Sequence, residues 1–212
     1  MSDILTEIQE NVILGTGPMI RELTAGAMES GFSASQILQD ALMPGMDKVG
    51  RLMRDGEYFI PDVLISARTM QMALKVLKPK LVEAGAGHAG TAVIGTVAGD
   101  LHDIGKNLVG MMLEGANFVV VDLGTDVSAG QFVAAAQEHS ANLVGMSALL
   151  TTTMVAMKDT VDAFQEAGIR DRVKILVGGA PVTQAYADEV GADGYAPDAG
   201  SAAVVARNLL AH

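Results

Sequence analysis

Apolar positions in the first 85 or so residues recur near the helical period, as at Ile4, Leu5, Ile8 and Val12. Short polar or glycine-containing breaks divide this part of the chain into four such segments, at residues 2–13, 17–31, 33–56 and 60–85. Short connections between helices are typical of antiparallel neighbours, so the pattern predicts a four-helix bundle. Pro44 lies inside the third segment and is expected to kink or divide it.

The stretch "AGAGHAG", residues 84–90, consists of small, flexible residues and is predicted to be a linker. It separates two parts of the chain whose hydrophobic patterns differ. We therefore expect a helical domain at residues 1–88 and a second domain at residues 89–212.

After residue 90 the pattern changes to apolar runs that alternate with helical segments. The predicted strands are 91–98, 118–124, 142–149, 173–179 and 193–196. The predicted helices are 105–115, 128–139, 153–168, 182–190 and 198–211. The strands are apolar on both faces, as strands buried in a parallel sheet are.

Five strand–helix units predict a doubly wound, five-stranded parallel sheet, either flavodoxin-like or Rossmann-like. The first strand is not followed by G-x-G-x-x-G, which weakens a dinucleotide-binding interpretation. The flavodoxin-like strand order 2-1-3-4-5 places the topological switch between strands one and three. The fold class expected is thus α plus α/β, a helical bundle followed by a flavodoxin-like domain.

Composition excludes several classes of function. The net charge is −11, and acidic residues outnumber basic ones in both parts, so nucleic acid is not an expected partner. The absence of cysteine excludes disulfides and thiolate chemistry. The chain has no long apolar run, and "MSDILTEIQEN" has no signal-peptide pattern, so we expect a cytoplasmic protein with no membrane partner.

Ligands of such sheets bind at the carboxyl ends of the strands, beside the switch. Three predicted loops meet there: "GDLHDIG" after strand one, "SALLTTT" after strand three and "GGAPVT" after strand four. The candidate ligand-binding residues are Asp100, His102, Asp103, Gly105, Ser147, Thr151, Thr153, Gly178 and Gly179. The two adjacent glycines are expected to let the backbone approach a bulky ligand.

A simpler interpretation exists for each of these loops taken singly. Asp100 could cap the helix that begins near Gly105, and the threonines could cap the next helix. A lone histidine in a loop is usually a surface residue. Taken together, however, one imidazole, a nearby carboxylate and hydroxyl-rich and glycine-rich neighbours favour a ligand site.

The spacing Asp100-x-His102-x-x-Gly105, followed by Ser147-x-Leu149 and Gly178-Gly179, resembles the cobalamin-binding signature of methionine synthase and its relatives. Residues 45–70 are similar to the helical cap domain that precedes the cobalamin domain in that family. Nearly the whole chain resembles the small corrinoid proteins of methyltransferase systems for methanol, methylamines, methoxylated aromatics or betaines.

This resemblance implies that cobalamin binds with its benzimidazole displaced and His102 as the lower axial ligand of cobalt. Asp100 and then Thr153 would complete a hydrogen-bonded triad. The displaced tail would lie in a slot lined by Ser147, Leu149, Thr151, Gly178 and Gly179. The helical cap would cover the upper face, with Phe59 and Met70 as contacts.

The implied function is that of a methyl carrier without catalytic residues of its own, which binds cobalamin and, as methylcobalamin, carries a methyl group between two enzymes. Its partners would be a substrate:corrinoid methyltransferase and a corrinoid:acceptor methyltransferase, with a reductive activator protein as a further partner. A cobalamin-binding sensor or regulator and the small subunit of an adenosylcobalamin isomerase are the alternatives. The acidic charge disfavours a DNA-binding regulator, and the helical cap favours methyl chemistry over the isomerase.

Overall fold

The computed structural model describes residues 3–84 and 87–211. The chain divides into two compact units, Met1–Gly87 and His88–His212. The predicted domain boundary at residues 88 and 89 is one residue away from this division. Residues 85 and 86 of the predicted linker lie outside the described residues.

The first unit is helical, as the pattern predicts. Its helices are α1 (Asp3–Leu14), α2 (Met19–Glu29), α3 (Ala34–Ile37), α4 (Met43–Arg54) and α5 (Ile60–Glu83), with a π-helical segment, Leu38–Leu42, between α3 and α4. Ser33 caps α3 by accepting a hydrogen bond from the Gln36 N–H, and the Gln36 side chain accepts one from Ser33 N–H in return.

Pro44 lies within the third predicted helix, which a π-helical segment divides into α3 and α4. It is the second residue of α4, two positions after the last residue of the π-helical segment. A proline ring collides with the carbonyl group one helical turn earlier and lacks an N–H to donate. Widening that turn to a π-helix accommodates the ring, so the helical path continues to Arg54.

The core of the helical unit follows the predicted apolar positions, and one expectation about it is wrong. Met70 is 1% exposed and lies on the same face of α5 as Val63, Ala67 and Leu77, which are also buried. That helical spacing makes Met70 a core residue rather than a surface contact for a ligand. Phe59, the other expected contact, is exposed.

The second unit has a five-stranded sheet in which every described pairing is parallel. Its strands are β1 (Gly90–Thr96), β2 (Phe118–Asp122), β3 (Leu143–Ser147), β4 (Lys174–Gly178) and β5 (Gly194–Ala196). Its helices are α6 (Ile104–Gly115), α7 (Ala129–Glu138), α8 (Val155–Glu166), α9 (Gln184–Val190) and α10 (Ala199–Leu210). A short 3₁₀ turn, Arg170–Arg172, precedes β4.

The strand order is β2-β1-β3-β4-β5, which confirms the flavodoxin-like prediction. β1 lies between β2 and β3, so the chain changes direction across the sheet at the carboxyl ends of β1 and β3. Core side chains on the sheet include Val93, Val144 and Ile175, and Phe132 and Phe164 cover them from α7 and α8. None of the helices in the described residues combines the length and the hydropathy that crossing a lipid bilayer demands.

Candidate functional site

The loop between β1 and α6 leaves the sheet through a tight turn. Asp100 N–H donates to the Val97 carbonyl at 3.1 Å, and Gly99 has a φ of 80°. A positive φ at the third position of such a turn favours glycine. The Thr96 hydroxyl then donates to the carbonyl oxygen of His102 at 2.8 Å, which ties the far side of the loop to the end of β1.

Asp100 is the buried centre of the site, at 0% exposure. Its carboxylate accepts from the His102 ring at 2.7 Å, the His102 N–H at 3.1 Å and the Thr153 hydroxyl at 2.7 Å. The N–H groups of Leu149 and Leu150 donate to it at 2.8 and 3.3 Å. All of these donors belong to the loops after β1 and β3, and none belongs to the first turn of α6, so Asp100 does not cap that helix.

The surroundings of Asp100 favour its ionised form. Burial alone would raise the pKa of this carboxyl, but hydrogen bonds from Leu149, from the His102 ring, from Thr153 and from the His102 backbone together hold its pKa well below its usual range. A carboxylate accepts hydrogen bonds and does not donate them. The imidazole nitrogen that meets it must therefore carry the proton.

His102 thus presents a defined nitrogen to solvent. Nδ1 donates to Asp100, so Nε2 of the neutral ring keeps its lone pair. The His102 side chain is 51% exposed, whereas its Asp100 partner is fully buried. A neutral imidazole held by a carboxylate through its other nitrogen is the usual arrangement of a metal-ligating histidine.

The loop after β3 brings the expected hydroxyl to Asp100. Thr153 is buried, and its hydroxyl contacts both Asp100 and the Leu150 carbonyl at 2.9 Å. It precedes α8, which begins at Val155 rather than at residue 153 as predicted. Ser147 ends β3, and its carbonyl accepts from Val97 N–H at 3.0 Å.

Leu149 and Thr151 are exposed near the same end of the sheet. Thr151 lines a cavity of about 390 Å³ together with Met154, Lys158 and Tyr186. The Tyr186 hydroxyl donates to the Met154 carbonyl at 2.5 Å. Burial, together with the charges of Glu189 and Asp159, raises its pKa.

Gly178 and Gly179 also contribute to the packing of the chain itself. A Cβ on Gly179 would lie 1.8 Å from the carbonyl oxygen of Ala148, and one on Gly178 would lie 2.9 Å from that of Ala196. Gly179 also has a φ of 130°. These glycines let neighbouring protein backbones pack closely, so the space beside them is taken by the chain itself.

Asp103 and Gly105 begin α6 beside His102. Asp103 is the N-cap residue, and its carboxylate accepts from the Asn107 side chain at 3.2 Å. Gly105 is exposed, and apart from its chain neighbours and the backbone of α6 no described atom lies within 4 Å of the position that a Cβ would take there. The start of α6 therefore has open space at Gly105, three residues after His102, that a ligand can occupy.

Large apolar side chains surround His102 at this edge of the sheet. Leu101, Ile104, Leu149 and Leu150 are all exposed by more than two fifths. Exposed apolar side chains grouped around one polar donor are typical of a binding surface. The combination fits cobalamin, whose broad macrocycle carries cobalt at its centre.

Two contacts of the site were not predicted from the sequence. Asp126, in the loop after β2, accepts from Gly99 N–H, and the buried Thr96 holds the His102 carbonyl. Asp126 lies in the loop after the second predicted strand. Ligands of such sheets bind at the carboxyl ends of the strands, so inspection of this loop as well would have found it. Thr96 lies within an apolar run, where nothing in the pattern distinguishes it from a core residue.

Comparison with known proteins finds B12-binding relatives for both units of the chain. Two family models, each described as a B12 binding domain, match residues 90–204 and residues 4–78. A corrinoid protein of Desulfitobacterium hafniense is 41% identical over 210 residues, which cover 98% of this chain and 97% of that protein. A dimethylamine corrinoid protein of Methanosarcina barkeri is 39% identical over 212 residues, covering 100% of this chain and 96% of that protein.

Among solved structures, the methanol:cobalamin methyltransferase complex MtaBC from Methanosarcina barkeri contains a chain with the same fold. Its TM-score is 0.82 at 33% identity, with 99% of this chain and 80% of that chain covered. The family models span the helical unit as well as the sheet, and the relatives match nearly end to end. The chain therefore belongs to the B12 binding domain family, and its cofactor is a cobalamin.

Proposed function

We propose that this protein is the methyl carrier of a corrinoid-dependent methyltransferase system. The observation that carries the proposal is the chain of hydrogen bonds from His102 Nδ1 through Asp100 to the Thr153 hydroxyl. When bound, the cobalamin supplies a cobalt atom that accepts and then gives up a methyl group. The protein would hold the cobalamin through His102 and would keep the proton of that imidazole on Nδ1, where it faces Asp100.

The axial ligand in this proposal is Nε2 of His102. Because Nδ1 donates to a buried carboxylate, the ring is held in the tautomer and orientation that a metal requires. The Asp100 carboxylate lies 2.7 Å from Nδ1 and is itself held by the loop after β3, so it would keep the ring aimed at the cofactor.

The remaining candidate residues are proposed to hold the rest of the cofactor. Asp103 and Gly105 would border the macrocycle at the start of α6. The displaced tail would lie along the ends of β3 and β4, beside Ser147, Leu149 and Thr151. Gly178 and Gly179 would act there through the backbone course that their missing side chains permit.

The proposed partners are a substrate:corrinoid methyltransferase and a corrinoid:acceptor methyltransferase, with a reductive activator protein to restore oxidised cofactor. The relatives named above point to dimethylamine and methanol as the first methyl donors to test. We also propose that the helical domain ends near residue 88 and acts as the cap of the cofactor's upper face.

Axial ligation is tested by electron spin resonance of the protein loaded with cobalt(II) cobalamin. We expect coupling to a histidine nitrogen, and its loss in His102→Gln. His139→Gln is the matched control, since His139 is an exposed histidine at the end of α7. A benzimidazole nitrogen on cobalt in the unmodified protein would refute the proposal.

A further inference from the structure

We infer that Asp126 is a positioning residue that holds the His102 loop in its binding conformation. Asp126 lies in the loop between β2 and α7, 24 positions after His102 in the sequence. Its carboxylate accepts from Gly99 N–H at 2.7 Å, and its own N–H donates to the Asp100 carbonyl at 3.0 Å. The inference rests on the proposed role of His102 as the axial ligand.

These two hydrogen bonds act on the turn that aims Asp100. Gly99 is exposed, and Asp100 begins the segment that leads to His102. The turn is closed on its own side by a single bond, from Asp100 N–H to the Val97 carbonyl. Asp126 adds a donor and an acceptor from a different loop, so it holds the peptide groups on both sides of the Gly99–Asp100 peptide, through Gly99 N–H and the Asp100 carbonyl.

The loop that carries Asp126 is itself fixed to β1. Val127 N–H donates to the Thr96 carbonyl at 2.9 Å, Thr96 N–H donates to the Gly124 carbonyl at 3.0 Å, and Val97 pairs with Val127. Val127 is buried in the core beneath. Asp126 therefore links the His102 loop to a backbone segment that hydrogen bonds hold against the end of β1.

The backbone of Asp126 is in an uncommon conformation that makes the double contact. Its φ is 55°, in the left-handed region that residues other than glycine rarely adopt. Aspartate and asparagine tolerate this region better than most residues. Replacement by glycine would thus remove the carboxylate without introducing backbone strain, and asparagine would keep both an acceptor oxygen and the conformation.

The test compares Asp126→Gly and Asp126→Asn with Ser140→Gly as the matched control. Ser140 is exposed and has a φ of 49°, but it lies after α7, away from the Gly99 turn. The first measurement is amide hydrogen exchange of Gly99 by nuclear magnetic resonance in the cobalamin-free protein. The second is the share of cofactor with a histidine nitrogen on cobalt.

We expect Asp126→Gly to speed Gly99 exchange roughly two- to tenfold, the effect of losing one exposed hydrogen bond. Its histidine-ligated share should fall, whereas Asp126→Asn and Ser140→Gly should resemble the unmodified protein in both measurements. The inference is overturned if Asp126→Gly leaves either measurement where Ser140→Gly leaves it. If the unmodified protein showed no histidine nitrogen on cobalt, the proposed role of His102 would be refuted instead. Unchanged amide exchange of Gly99 in Asp126→Gly would, even then, refute the role of the Asp126 contact.

Discussion

Asp100 joins two separate loops of the chain through one side chain. It contacts the His102 loop, the backbone after β3 and the hydroxyl of Thr153, all from a fully buried position. A buried carboxylate is costly unless its oxygens accept hydrogen bonds, and here five donors surround it. The same group that orients the histidine therefore also holds the two ligand loops together.

The lowered pKa of Asp100 predicts how stability depends on pH. The pKa of this carboxyl is lower in the folded chain than its ordinary value of 3.8. The stability that the ionised carboxylate contributes is therefore fully present above that value and is lost as the pH falls below it. Asp100→Asn should therefore cost about 1–3 kcal/mol near neutral pH, and the difference from the unmodified protein should shrink between about pH 5 and pH 2. Urea unfolding of the cobalamin-free proteins measures this, with the exposed Asp103→Asn as control. An equal difference at every pH would contradict it.

Thr153 is expected to matter less than Asp100 for cofactor binding. Thr153→Val removes one hydroxyl donor at 2.7 Å while nearly keeping the volume, and the other donors to Asp100 remain. Loss of an outer partner of a metal ligand typically costs about 10–100-fold in affinity, so we expect that range for Asp100→Asn and less than about tenfold for Thr153→Val. Equilibrium binding of cobalamin measures both, with the exposed Thr152→Val as control. A larger loss in Thr153→Val than in Asp100→Asn would reverse the assigned order.

At the scale of elements, the ends of β3 and β4 pack more closely than the sequence pattern reveals. Gly179 lies against the Ala148 carbonyl, and Thr153 N–H donates to the Leu150 carbonyl. The close approach of Gly179 to the Ala148 carbonyl sets the course of the β3–α8 loop. It therefore also sets the direction in which the Leu149 and Leu150 N–H groups point. The glycine pair thus shapes the site through the backbone.

Gly179→Ala should destabilise the α/β unit by more than about 3 kcal/mol. A methyl group 1.8 Å from a backbone oxygen forces the β3–α8 loop to move, and the φ of 130° is unfavourable for alanine. Gly105→Ala is the control, because its methyl group would meet open space near the start of α6, where alanine is the better helix former. Thermal unfolding of both variants distinguishes the two positions. Gly105→Ala should bind cobalamin more weakly while remaining stable, and equal stability of the two variants would refute this account of Gly179.

Hydrophobic periodicity was sufficient to predict the helices and strands of the α/β unit, because each element buries a regular stripe or face. The strand order needed a further observation, the absence of G-x-G-x-x-G after the first strand. Periodicity carries no information about Thr96, since a hydroxyl within an apolar strand does not change the pattern. It also could not distinguish a glycine that faces a ligand from Gly179, which faces the Ala148 carbonyl. The π-helical segment before Pro44 escaped prediction because a widened turn preserves the apolar face on both sides.

For the molecule as a whole, the proposal divides chemistry between this protein and its partners. Asp100 is buried and its carboxylate already accepts five hydrogen bonds, while the Nδ1 proton of His102 is directed at it. These groups are arranged to hold a ligand, and activation of an amine or alcohol is left to the substrate methyltransferase.

The holoprotein alone should therefore leave dimethylamine and methanol unchanged, and the absorption spectrum of its reduced cobalamin should stay constant. Addition of the cognate methyltransferase should convert donor and cofactor together, and His102→Gln should slow that conversion while His139→Gln should not. Demethylation by the isolated holoprotein at a rate comparable to that of the complete system would show that the chain is itself the catalyst.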